Sequence, residues 1–410
     1  MVKKLLLNFI LITCISLYSF AQNTYSITGI VKDKKETLPG ASVFISGYKI
    51  ATSTNSEGQF ALPKLAPGNY DILVQMIGYL PYSKNIIISD KSINIEVLLT
   101  ENTTLLNEVV IKPDPNRAYY IALFKDFFIG KTPNASECKI LNENILGVDD
   151  DIPNSLLTIR ASDFLLIENK ALGYRIKYLL KNFEYNYRTK IFYYAGLPSF
   201  EELKGGSAKQ KKWKKNREIA YNGSIQHFFK SLYANRIKEE GFVINKLGTI
   251  PNPGRKPDSL INATIKRLTS GQSGLNRVIT FNGSDSLSYW LKQRNEPKEI
   301  NILIRGDVLI DTLVKSFNAD LKQMNYKDAL YIIYKNELES SSYNSSGLKQ
   351  SRPPDLANYQ ISVLDLMVPP VLFYANGGIY DPRSLLYKGY LAYEKVADLV
   401  PMDYIPTTKK

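Results

Sequence analysis

The sequence predicts a multidomain chain: an antiparallel β-sandwich near the N terminus, followed by an α+β region with an antiparallel sheet and a few helices. Three observations carry this. Between Tyr25 and Thr100 apolar residues recur at a period of two, and Gly and Pro interrupt them at short intervals. From Asn116 onward, apolar residues at helical spacing are interspersed with strand-like stretches. The chain has 410 residues, 44% hydrophobic and 22% charged, which is ordinary for folded protein and long enough for more than one core.

The first 21 residues read as a signal peptide and are set apart from the fold. Lys3 and Lys4 form a positive start, Leu5 to Phe20 is almost wholly apolar, and Ser19-Phe20-Ala21 places small residues where a cleavage site needs them. A membrane anchor is the competing reading, and the run is short for one. Leu11-Ile12-Thr13 before Cys14 is a poor setting for lipidation, which wants small residues there. Removing this segment leaves Cys138 as the single cysteine, so the mature chain has no internal disulfide, and a packed core thiol is the expectation. The formal charge is +13; without Lys3 and Lys4 it is +11. An exported chain of that charge is drawn to anionic surfaces such as lipid headgroups or acidic glycans, and export argues against nucleic acid.

In the sandwich, expected over 22–101, Ile27, Gly29 and Val31 alternate with outward positions, as do Ala41, Val43 and Ile45 after the turn Leu38-Pro39-Gly40. Asn55-Ser56-Glu57-Gly58 leads into Gln59-Phe60-Ala61-Leu62, and Pro67-Gly68 into Tyr70, Ile72 and Val74. Ile86 and Ile88, then Ile93, Ile95, Val97 and Leu99, complete six or seven short strands.

These residues carry a family resemblance. Ile27-Thr28-Gly29-Ile30-Val31, Leu38-Pro39-Gly40-Ala41-Ser42-Val43, Gly58-Gln59-Phe60, Leu65-Ala66-Pro67-Gly68-Asn69-Tyr70 and Ile77-Gly78-Tyr79 resemble the carboxypeptidase-regulatory-like domain. The resemblance implies a transthyretin-like sandwich of the kind that opens exported and outer-membrane proteins; it does not imply peptidase activity. Leu105 to Ile111 is similar to the segment that follows this domain in TonB-dependent receptors. The roughly 300 residues beyond lack the succession of long alternating strands that a transmembrane barrel requires. The chain is therefore not read as a receptor, although partnership with one stays open.

Residues 102–115, with Lys112-Pro113-Asp114-Pro115, read as a linker, and 116–410 as an uncharacterised α+β region. A helix is expected from Asn116, with Ile121, Phe124 and Phe128 on one face and Gly130 as its stop, and a second from Ser224 to Glu240. Strands are expected at 155–160, 164–168, 174–187, 190–194, 299–304, 329–334 and 361–366, with paired strands in the tail from Val371 to Tyr390. Residues 248–300, with Pro251, Pro253 and Pro257, are expected to be loop-rich.

The chemistry is limited by what is missing. His227 is the single histidine, too few for the zinc sites of carboxypeptidases and zincins; a packed imidazole is expected. Gly130-Lys131-Thr132 matches only the end of a phosphate loop, with Lys125 where a glycine is needed, and Gly271-Gln272-Ser273-Gly274 breaks the nucleophile-elbow spacing. Asp149-Asp150-Asp151 lacks the spacing of a calcium loop and is expected to be a solvated loop. No catalytic, cofactor or metal residues are assigned. Lys211, Lys212, Trp213, Lys214 and Lys215, flanked by Lys209 and Arg217, are candidates for surface binding, through cations around an aromatic anchor; the competing reading is a solvated basic face. Asp258-Ser259-Leu260, Asp285-Ser286-Leu287 and Asp311-Thr312-Leu313 resemble bacterial O-glycosylation tripeptides.

The expectation is a non-enzymatic protein of the periplasm or outer membrane, needing no cofactor, whose sandwich is an interaction module and whose second region binds a glycan or an envelope protein. The alternatives are a carboxylate-dependent hydrolase of envelope polymers, which requires a cleft with paired Asp or Glu, and an accessory of TonB-dependent uptake.

Overall fold

A computed structural model describes residues 24–102, 114–270, 286–306 and 308–407. The expected signal peptide, the receptor-like segment 105–111 and Gly271 to Gly274 lie outside the described residues, as do Asp285 and most of the expected linker.

The alternating segments form seven strands: β1 (Ile27–Lys32), β2 (Ser42–Ile45), β3 (Ala51–Ser53), β4 (Gln59–Ala61), β5 (Gly68–Gln75), β6 (Tyr82–Ile88) and β7 (Ile93–Leu98). They build two facing sheets, β4-β1-β7 and β3-β2-β5-β6. Ile27, Val31, Val43, Ile45, Ile72, Val74, Ile88 and Val97 meet between them, all fully buried. All pairs are antiparallel except β1 with β7, which run parallel because the chain changes sheet after β6 and returns beside its own first strand. Gly29 is required where β1 meets β7, since any Cβ there would clash with the Ile95 carbonyl.

The second region contains two further sheet systems. In the first, helix α1 (Arg117–Phe128) covers a sheet of β8 (Cys138–Ile140), β9 (Leu146–Asp151), β10 (Leu156–Ala161), β11 (Leu165–Asn169), β12 (Tyr174–Asn186) and β13 (Phe192–Glu202), ordered β8-β11-β12-β10-β9 with β13 also on β12. Phe124 and Phe128 stack at 4.7 Å and enter the sheet against Phe183 and Tyr178. Asp149 to Asp151, expected in a loop, belong to β9: the triplet alternates across a paired strand, and Asp150 accepts a 2.6 Å hydrogen bond from the Tyr120 hydroxyl.

Next come α2 (Ser207–Tyr221), α3 (Ile225–Tyr233), β14 (Phe242–Pro251), α4 (Asp258–Ser270), α5 (Ser286–Asn295) and β15 (Glu299–Ile304). They are followed by α6 (Ile310–Leu313), β16 (Val314–Ser316), β17 (Leu321–Met324), β18 (Ala329–Leu338), α7 (Ser341–Asn344), β19 (Tyr359–Leu366), β20 (Val371–Tyr374), β21 (Leu385–Gly389) and α8 (Tyr390–Tyr393). The large sheet is β15-β14-β18-β19-β21, the small one β16-β17-β20. Phe228, Phe229 and Leu232 of α3 bury their side chains against Phe242, Leu330 and Phe373.

Three expectations fail here. The second helix stops at Tyr233 instead of Glu240, because Asn235 takes a left-handed φ of 54°. The described residues of 248–300 include two helices: α4 and α5 bury only Ile261, Thr264 and Gln293, so they leave no long apolar signature, and Pro257 precedes α4 without breaking it. In the tail, β20 pairs with β17 and β21 with β19, so the two are not partners of each other.

After α8 the chain runs back as a strap over all three parts. The Ala397 N–H donates to the Ile129 carbonyl at 3.1 Å, and Asn169 Nδ2 to the Ala397 carbonyl at 2.7 Å. The Met402 N–H reaches the Gly47 carbonyl of the sandwich at 2.6 Å. Gln226 of α3 donates to the Pro401 carbonyl at 3.2 Å. Val396, Ala397 and Val400 join the core beneath α1.

Candidate functional site

The sandwich is docked onto the second region through a face that alternation assigns to solvent. Phe44 of β2 and Leu73 of β5 point away from the sandwich core, yet both are buried against Phe164, Leu179 and Leu197. Backbone bonds fasten the rim: the Gly47 N–H donates to the Pro198 carbonyl at 2.6 Å, and the Phe200 N–H to the Tyr48 carbonyl at 3.1 Å. Gln75 bonds Asp163 at 3.2 Å, and Asn69 bonds the Tyr374 hydroxyl at 2.6 Å.

Beside this junction lies a cleft of about 360 Å3, lined by Phe44, Lys49 and Ala51 of the sandwich and by Lys177, Ser199, Phe200, Glu201 and Glu202 of β12 and β13. The strand pairing builds it. Lys177 lies opposite Ser199, and Glu201, two residues further along β13, shares that face. Glu202 points the other way, into ion pairs with Lys49 at 3.0 Å and Arg217 at 3.3 Å. Lys177 Nζ stands 4.3 Å over the Phe44 ring. Burial lowers the Lys177 ammonium pKa, and Glu201 and Asp163 partly restore it. Burial raises Glu202, but its two cations more than offset that and leave the carboxyl below its usual range. The cleft thus presents an ammonium, a hydroxyl and a carboxylate around an apolar floor. Glu201 and Glu202 diverge from a single strand, so they do not face each other across a bond to be cleaved.

Two other clefts belong to the second region alone. One, about 440 Å3, is lined by Thr312, Lys315, Gln323, Asn325 and Lys327 among others; the other, about 300 Å3, by Ile237, Phe242, Ile244, Val308 and Ile310.

Carboxylates with raised pKa sit elsewhere, inside the strap. Glu394 is pushed well up by burial, and Asp398 is pushed up to about 6, also by burial, against the opposing pull of Asn134, Thr132 and Lys395. Thr132 Oγ1 donates to both Asp398 oxygens at 2.9 and 3.0 Å, and Asn134 Nδ2 donates at 2.9 Å. Burial brings Lys395 down to about 8. None of these groups lines the three clefts.

The residues singled out in the sequence are dispersed. The basic run is helix α2, and its lysines Lys211, Lys212, Lys214 and Lys215 are exposed while Trp213 is buried. Trp213 therefore cannot be the aromatic anchor of a surface element. Its ring covers Gly173 and Gly205, and its Nε1 donates to the Lys170 carbonyl at 2.8 Å. Asn216 takes the Ala171 carbonyl at 2.8 Å, and Arg217 takes those of Leu172 and Gly173 at 2.7 and 3.2 Å. One helix face thus caps four consecutive carbonyls of the β11–β12 turn. Of the five lysines of α2, all outside this clamp, Lys212 pairs with Glu137 at 2.9 Å.

His227 is packed between Tyr221 and Phe242; its Nδ1 accepts from the Gly223 N–H at 3.1 Å, and burial lowers its pKa. Cys138 is half-buried, and burial pushes its thiol up to about 12. Thr132 of Gly130-Lys131-Thr132 is engaged with Asp398, at the C-terminal end of α1 where no phosphate cradle exists. Ser259 and Thr312 are exposed. Among the described residues, no group of three or more His, Cys, Asp and Glu side chains is placed to hold a metal ion, and no helix is long and apolar enough to cross a membrane.

Residues 27–111 match the CarboxypepD_reg-like domain family, so the front of the chain is a carboxypeptidase-regulatory-like β-sandwich. No curated protein matches the chain. Among solved structures, similarity extends to a cohesin–X-dockerin complex from Acetivibrio cellulolyticus, 19% identical over 19% of this chain and 58% of that one, TM-score 0.18. A candidate carbohydrate-binding protein from Bacteroides uniformis is 9% identical over 38% of this chain and 57% of that one, TM-score 0.17. A candidate membrane-associated protein of unknown function from Bacteroides fragilis is 12% identical over 89% of this chain and 93% of that one, TM-score 0.15. The chain spans little more than half the length of the first two. At these TM-scores the likenesses carry no argument about architecture or role.

Proposed function

We propose that this is a non-enzymatic, exported protein of the cell envelope whose sandwich and second region together bind a short glycan. The cleft at their junction carries the reading. It sits where two parts of one chain meet, which is where ligand sites concentrate. Lys177, Ser199 and Glu201 offer donors and acceptors for hydroxyl groups beside the Phe44 floor. Three observations weigh for binding and against hydrolysis: Glu201 and Glu202 diverge, Glu202 is held ionised by two cations, and the raised carboxylates Glu394 and Asp398 are interior.

The test is calorimetric titration of the protein with oligosaccharides released from bacterial envelopes. Binding that weakens about tenfold in Lys177→Ala and in Glu201→Ala is expected, because each leaves a ligand hydroxyl without its partner. Unchanged affinity in both variants refutes the cleft, and release of reducing ends refutes the non-enzymatic reading.

A second reading, docking to an envelope protein by strand addition, is favoured by β6, which pairs on one edge with β5 and shows Ile87 57% exposed. A proline in place of Asn85 would remove that capture and leave glycan binding intact.

A further inference from the structure

Beyond residue 247 the β14–β15 ribbon leaves the large sheet: β18 pairs with β14 only over 242–247, whereas β15 continues to Pro251. At the ribbon's tip stand α4 and α5, and their packing against each other is the only extensive contact between elements that either helix makes among the described residues. The neck is stiff. Arg255 Nε donates to the Glu296 carbonyl at 2.9 Å, Asn252 Nδ2 to the Pro297 carbonyl at 2.9 Å, and Gln293 Oε1 accepts from the Lys256 N–H at 2.8 Å. Asp258 bridges Arg255 at 2.5 Å and Lys298 at 2.7 Å.

The composition of this arm is not that of a packed helix pair. Its described residues 252–298 hold seven lysines and arginines against two carboxylates, whereas seven lysines balance seven carboxylates in the sandwich segment 24–102. With Arg255 and Lys298 committed to Asp258, the exposed Lys266, Arg267, Lys292 and Arg294 have no ion-pair partner among the described residues. Apolar groups stand among these cations: Leu260 is 47% exposed, Tyr289 is 48% exposed, and the half-buried Trp290 meets Tyr289 edge-on at 5.4 Å. Unpaired cations call for an anionic partner. Half-exposed Leu, Tyr and Trp beside them suit the headgroup level of a bilayer better than a bare phosphate chain.

We propose that the α4/α5 arm is a docking element for an anionic phospholipid surface, with Lys266, Arg267, Lys292 and Arg294 at the headgroups and Tyr289 and Trp290 at the acyl boundary. The proposal rests on the envelope reading above, and it is independent of the cleft.

The experiment uses the mature chain and vesicles of phosphatidylglycerol and phosphatidylcholine in equal parts, with phosphatidylcholine alone as comparison. Sedimentation with the anionic vesicles is expected, falling at least about tenfold in K266E/R267E/K292E/R294E while thermal unfolding of the variant is unchanged. Since the chain has two tryptophans and Trp213 is already buried, a blue shift of emission on vesicle addition reports Trp290, and Trp290→Phe should abolish it. Full binding by the charge-reversed variant, equal binding to phosphatidylcholine alone, absence of the shift, or displacement of vesicles by duplex DNA at equal charge would each overturn the proposal. Glycan titration of the same variant separates the two readings: intact glycan binding without vesicle binding confirms the arm's own role. Loss of glycan binding in the cleft variants leaves the arm untouched.

Discussion

The sandwich and the second region solve the same problem, burying β-sheet, by opposite routes. In the sandwich every strand finds its partners within residues 24–102, its charges balance, and its core is the set of alternating residues. The second region carries the surplus positive charge and closes its cores with partners far apart, such as Thr132 with Asp398, 266 residues away. A local solution can be read from a short window; a distant one cannot.

The sharpest way to break the comparison is to remove the strap. Truncation before Tyr390 should abolish the cooperative unfolding of the second region while the sandwich persists as a protease-resistant fragment, because Val396, Ala397 and Val400 are lost from the core beneath α1. Equal loss of both parts would show that the sandwich has no independent stability.

Next in size is Trp213→Ala, expected to cost about 3–5 kcal/mol through its cavity and the freed Lys170 carbonyl. Changing Lys211, Lys214 and Lys215 to alanine should move stability by less than about 0.5 kcal/mol each. Chemical denaturation of the four variants separates a structural tryptophan from solvated lysines.

Phe44→Ala tests the junction at about 3 kcal/mol, the low end for a buried phenylalanine. Since Phe44 faces away from the sandwich core, the loss should appear as earlier proteolysis between the two parts, with the sandwich's own unfolding little changed.

A further effect is in pH. Burial raises Asp398 to about 6, against 3.8 when unfolded, so the folded state holds its proton more tightly. Stability from this group is fully present below pH 3.8 and is lost as pH rises through about 6, in total about 2–3 kcal/mol. Glu394 acts in the same sense. Lys395, lowered to about 8, acts in the alkaline window: its contribution is present above 10.5 and lost as pH falls through about 8. Asp398→Asn should flatten the slope of unfolding free energy between about pH 4 and 6; an unaltered slope would sink the assignment.

How legible each part was follows the same division. Ile27, Val43, Ile72 and Val97 announce the sandwich because apolar residues recur at every second position along their strands. Phe44 and Leu73 mislead by the same rule: alternation sends them to water, and only docking buries them. In α2, the lysines hide a clamp made by Trp213, Asn216 and Arg217, three residues at helical spacing that a reader of charge alone passes over. The strands at 299–304 and 361–366 show in their apolar content, whereas α4 and α5 bury too little to leave a stripe. The cleft was not legible at all. Lys49 comes from the β2–β3 turn, Lys177 from β12 and Glu201 from β13, and no spacing in the chain brings them together.

The strap also imposes an order in time. A polypeptide emerging N terminus first can complete its leading module at once, yet α1 and its sheet must wait for Ile129 and Asn169 to receive Ala397. Until then the floor that Val396 and Val400 seal stays uncovered.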